Sequence, residues 1–97
     1  MNMLKIDEKL VKQYKPDGVV NHYYMSPCKT TRIVQFNDNT SMMISTKDTE
    51  GFSILQKTLI MNDYCMDILQ RYEDKEGRII RIYQTMPIKE SVLALSF

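Results

Sequence analysis

The chain has 97 residues, 43% hydrophobic and 26% charged, with 13 Lys+Arg against 12 Asp+Glu and a formal net charge of +1. That length holds one domain spanning residues 1–97, because two would each approach the size at which a core fails without disulfides or metal. The balance excludes a disordered or collagen-like chain and offers no bulk electrostatic pull toward DNA or a membrane.

Residues 3–14 have helical spacing, with Met3, Ile6, Leu10, Val11 and Tyr14 on one side and Lys5, Lys9 and Lys12 on the other. Asp7 is an alternative N-cap, which would shorten the helix to residues 8–15. Lys15-Pro16-Asp17-Gly18 ends it, since a residue before proline disfavours the α region and Asp-Gly suits a turn. Residues 19–25 are rich in β-branched and aromatic side chains and predict a strand. Ser26-Pro27-Cys28 interrupts it, and residues 30–37 predict the next strand. Asn37-Asp38-Asn39 marks a hairpin turn, with residues 40–46 as the return strand.

Residues 49–73 predict one long amphipathic helix of roughly 35 Å. On a helical wheel Ile54, Leu55, Leu59, Met61, Cys65, Met66, Ile68, Leu69 and Tyr72 fill one half. Gln56, Lys57, Asp63, Asp67, Gln70 and Arg71 fill the other. Glu73-Asp74-Lys75-Glu76-Gly77 is a charged turn with glycine near the C-cap. Residues 78–85 predict a strand, and the apolar run in residues 91–97 predicts a last, buried one. The expected fold is α+β: an antiparallel sheet of about five strands carrying the long helix and a shorter N-terminal helix.

Enzyme signatures are missing. The sequence contains no phosphate-cradling glycine loop, no C-x-x-C, no H-E-x-x-H and no G-x-S-x-G. His22 is the sole histidine, too little for a zinc set with Cys28 and Cys65, so neither metal nor cofactor is expected. Cys65 falls on the apolar arc and reads as a small buried hydrophobe, while loop residue Cys28 is the candidate reactive thiol. Asp63 and Asp67, at i and i+4, read as a solvated helix face. The basic residues do not form one patch: alternation sends Arg78 and Arg81 to opposite sheet faces, and acids offset the total. A nucleic-acid-binding regulator, using the Lys5, Lys9 and Lys12 stripe and Tyr23-Tyr24, is therefore only the third reading.

The docking signal is stronger. Phe52, Ile60 and Tyr64 fall off the apolar arc of the long helix, with Arg71 at the rim, and mark a surface for a protein partner or a second copy. The alternative is a small-ligand or nucleotide pocket built from His22, Tyr23, Tyr24 and Arg32. The N-terminus lacks a secretory signal and no apolar run approaches the ~18–20 residues of a membrane span, so a cytoplasmic protein is expected. Ala94 is the sole alanine, with three glycines and three prolines. That scarcity of residues with GC-rich codons suggests a low-GC genome. A short, motif-poor chain from one fits a bacteriophage or mobile-element protein, with inhibition by protein contact as its expected role.

Overall fold

The computed structural model describes residues 3–27, 29–45, 57 and 59–87. Cys28, Phe52 and the predicted strand over residues 91–97 lie outside them. Among the described residues the order is α1 (Lys5–Tyr14), β1 (Val20–Met25), β2 (Thr31–Phe36), β3 (Thr40–Ser45), β4 (Tyr64–Glu73) and β5 (Ile79–Pro87). The strands form one five-stranded sheet in the order β1-β2-β3-β5-β4, with every pair antiparallel.

The N-terminal helix and β1, β2, β3 and β5 fall where the sequence predicts them. Leu4 holds the N-cap position without a side-chain cap, and Asp7 lies inside the helix. The Asn37-Asp38-Asn39 hairpin forms, with Asn39 at φ 68° and the Asp38 carboxylate accepting the Thr40 N–H at 3.0 Å. Lys15 reaches that turn from the end of α1, bonding Asp38 at 2.8 Å and lying 5.7 Å from the centre of the Phe36 ring. Gly18 sits where the chain passes closest to Phe36: a Cβ there would meet the ring at 2.6 Å.

The long helix over residues 49–73 is not seen. Residues 57 and 59–61 are helical. The Asn62 and Asp63 N–H groups then bond the Leu59 and Ile60 carbonyls at 3.1 Å. Asp63 turns left-handed at φ 63°, and the chain continues as β4. Pairing along the full length of β5 overrides the helical spacing of this stretch. Asp63 and Asp67 therefore lie in a turn and on a strand, not on one helix face. The charged segment that follows is a hairpin turn rather than a helix C-cap. Asp74 accepts backbone N–H groups of Glu76 at 3.0 Å and Arg78 at 2.8 Å, and Gly77 takes φ 80°. Arg78 precedes β5 and ion-pairs with Asp74 and Glu76. Desolvation alone would raise the Asp74 carboxyl, but the bonds from Arg78 outweigh it and hold the group below its ordinary range.

Cross-strand partners share a sheet face, so the registers assign each side chain. One face carries Val34, Phe36, Met42, Ile44, Ile80 and Ile82, which form the core with Leu10 and Val11 of α1. Burying Leu10 and Val11 contributes on the order of 3–6 kcal/mol. Tyr14, at the end of α1, stacks on Tyr72 of β4 with ring centroids 4.4 Å apart. The opposite face is also closed to solvent at its centre, where Met43, Ser45, Ile79 and Tyr83 are buried. Burial on both sides explains why β3 reads as an unbroken Met-Met-Ile run rather than an alternation.

Candidate functional site

In the described sheet β4 is an edge strand; its second half carries the charges and bulge that commonly guard an edge, while its first half and the helical turn before it are apolar. Seven large hydrophobic residues stand exposed among the described ones, and Ile60, Met61, Tyr64, Ile68 and Leu69 supply five of them. They fall within ten consecutive residues, a strip of chain that runs from the helical turn into the first half of β4. Met61 is 84% exposed, the highest of the seven. The β4–β5 register shifts between Ile68 and Gln70, which makes Leu69 the extra residue of a bulge. The bulge pushes Leu69 out of the ladder, and its side chain stands 53% exposed. Tyr64, Met66, Ile68 and Arg71 occupy one sheet face, opposite Pro87, Thr85, Tyr83 and Arg81 respectively. Cys65 lies on the other face and is buried with a free thiol.

Three of the four docking residues read from the sequence thus lie on this strip. Ile60 is in the helical turn, while Tyr64 and Arg71 share one face of β4, and all three are exposed. Their grouping comes from an edge strand, not from the wet side of a helix. Phe52 lies outside the described residues. The sequence reading missed Met61, Ile68 and Leu69, because the helical wheel assigned them to the buried arc.

The four residues of the alternative pocket do not converge. His22 and Tyr24 are exposed on one face of β1 through their pairing with Gln35 and Ile33. Tyr23 and Arg32 lie on the other face, against α1, where Asp7 engages both. Arg32 gives Nε to Asp7 Oδ2 at 3.0 Å and Nη2 to Oδ1 at 2.9 Å, a two-pronged grip, and sends Nη1 to the Lys29 carbonyl at 3.0 Å. The Tyr23 hydroxyl donates to the same Asp7 carboxylate. Asp7 is completely buried. Burial and then the bond to Asp7 push the Tyr23 phenol up to about 12. The bond to Asp7 also raises the Arg32 guanidinium, against the opposing effect of burial. This cluster fastens α1 to β1 and β2, and its polar groups are turned toward one another rather than toward a ligand.

Asp7 had a readable signal. It lies four residues after Met3, three before Leu10 and seven before Tyr14, which places it on the apolar stripe of α1. A carboxylate there requires a cationic partner from another element. Among the described residues no group of three or more His, Cys, Asp or Glu side chains is placed to hold a metal ion. No described helix is long and apolar enough to cross a membrane. No protein-family model, curated protein or solved structure matches this chain.

Proposed function

We propose that this chain is a non-enzymatic binding protein that works by protein–protein contact along β4 and the helical turn before it. The observation that supports this reading is the apolar strip Ile60, Met61, Tyr64, Ile68 and Leu69 beside the outer edge of the described sheet. An edge strand presents a row of backbone donors and acceptors, and alternate side chains read the incoming segment. The occupant is an extended segment of a different protein, running antiparallel to β4. It carries apolar side chains opposite Tyr64 and Ile68, a cation near Asp67 and an acid near Arg71. The Leu69 bulge favours a different protein over a second copy, because a symmetric β4–β4 pair would have to accommodate two bulges at its centre. Covering a partner's strand in this way is a route to inhibition. It accords with the cytoplasmic, phage-type role suggested by composition.

The test uses a photoreactive residue at position 69, with one at position 24 on the opposite edge as control. Crosslinking from position 69 alone, mapped to an extended segment of one partner, supports the reading. Ile68→Lys together with Leu69→Lys removes that capture and leaves the melting temperature unchanged. Equal capture from position 24, or undiminished capture by the double variant, refutes it. Crosslinks joining two copies of the chain would replace the partner with a homodimer.

A further inference from the structure

The apolar strip before and along β4 holds one side chain whose chemistry its neighbours lack. Ile60, Ile68 and Leu69 end in hydrocarbon and Tyr64 in a phenol, whereas Met61 carries a thioether, the group that peroxides convert to a sulfoxide. The described methionines differ sharply in access to solvent. Met42 and Met43 are fully buried, Met3, Met25, Met66 and Met86 are half-buried, and Met61 is 84% exposed. Met61 ends the helical turn. The Asn62 and Asp63 N–H groups then close on the Leu59 and Ile60 carbonyls, and Asp63, at φ 63°, redirects the chain into β4. The Met61 side chain stands outside the core that α1 and the sheet build.

We propose, resting on the contact reading above, that Met61 is an oxidation site through which a peroxide switches off docking at the β4 strip. The sulfur lone pair attacks one peroxide oxygen, so an S–O bond forms as the O–O bond breaks. With hydrogen peroxide, the departing hydroxide takes the proton of the transferred oxygen and leaves as water. The sulfur is oxidised by two electrons and the peroxide is reduced by two. The product is a polar sulfoxide in place of a flexible apolar tip. In the free chain that group faces water and costs the fold nothing. Beneath a partner's apolar side chains it loses its water, and a covered polar group without a hydrogen bond opposes association. Oxidation of Met42 or Met43 would instead break the core, so their burial confines the chemistry to a position that alters contact and spares folding. Sulfoxide reductases return the thioether, which makes the change reversible.

The experiment treats the full chain with hydrogen peroxide. It follows peptide-mass mapping of the methionines, the melting temperature, and photocrosslinking from position 69 to the partner segment. Met61 is expected to gain its oxygen before Met42 and Met43 do, with the melting temperature unchanged. Capture is expected to fall about tenfold or more. Met61→Leu, close in volume and free of sulfur, is expected to capture normally before and after peroxide, which separates position 61 from Cys65 and the other oxidisable groups. Met61→Gln is expected to capture as weakly as the oxidised chain with no peroxide added. Oxidation of Met42 or Met43 as fast as Met61 overturns the proposal, as does an equal loss of capture in peroxide-treated Met61→Leu. Undiminished capture by chain oxidised at Met61 overturns the switch and leaves the contact reading standing. Absence of capture by untreated chain overturns the contact reading and the switch together.

Discussion

Replacing Asp7 by Asn leaves the Arg32 guanidinium buried beside a neutral amide. In the native chain the Arg32 side chain is 7% exposed and the Asp7 side chain 0%, so water cannot take over the lost interaction. Removing one partner of such a pair costs about 3–5 kcal/mol. A domain of this size has about 5–15 kcal/mol of stability in all. The substitution is therefore expected to consume about a fifth or more of it and to lower the melting temperature by ~12–40 °C. Asp7→Leu combined with Arg32→Met removes both charges at once. The Tyr23 hydroxyl and the Lys29 carbonyl then lose their partners, each at roughly 1–3 kcal/mol if it stays dry. The escape from desolvating two ions, about 1–4 kcal/mol, offsets that loss. The double variant is thus expected within about 2 kcal/mol of the native chain and above either single variant. Urea unfolding followed by circular dichroism measures all four corners of the cycle. An Asp7→Asn cost below about 1 kcal/mol, or a double variant no better than the sum of the singles, would refute the account of this cluster as a desolvated ion pair.

Two further outcomes follow from the same packing. Gly18→Ala is expected to destabilise by about 1–3 kcal/mol, because its Cβ would meet the Phe36 ring at 2.6 Å and the Lys15 side chain at 2.7 Å; an unchanged urea midpoint would contradict the close approach. Tyr23 is an acid whose folded pKa is raised from 10.0 to about 12, so its contribution to stability is complete below pH 10 and is lost as pH climbs through 12. Phenolate absorbance should show a titration near the upper value that Tyr23→Phe removes, and an ordinary titration at that position would contradict the Asp7 contact.

Where sequence and structure agree, local chemistry and tertiary pairing point the same way. Asn37-Asp38-Asn39 demands a turn, the runs on either side are β-prone, and α1 shows an apolar stripe ended by Lys15-Pro16. The failure over residues 49–73 has an identifiable cause in its second half. Met66 and Ile68 alternate as a strand should, but the bulge adds Leu69 out of phase, and Tyr72 resumes on the opposite face. The resulting spacing of apolar residues at 65, 66, 68, 69 and 72 mimics a helical period. Asn62-Asp63 is itself a turn-favouring pair, and Asp63 takes φ 63°, but the helical spacing on either side masked that signal. The candidate strip was legible only in part. Ile60, Tyr64 and Arg71 stood out for a helical reason that does not apply, while Met61, Ile68 and Leu69 could be recognised as exposed only once the edge position of β4 was known.

The sheet order places β5 between β3 and β4, so two neighbouring interior strands, β3 and β5, come from distant parts of the chain. The β1–β3 meander and the β4–β5 hairpin can each assemble from near neighbours, but the seam where Ser45 meets Ile79 closes only after a long excursion. Of the described strand pairings, that seam spans the greatest sequence separation and so carries the largest loop-closure cost. The Tyr14–Tyr72 stack then acts as a clasp, because it draws the earliest helix onto the latest hairpin and ties the two assemblies together from above.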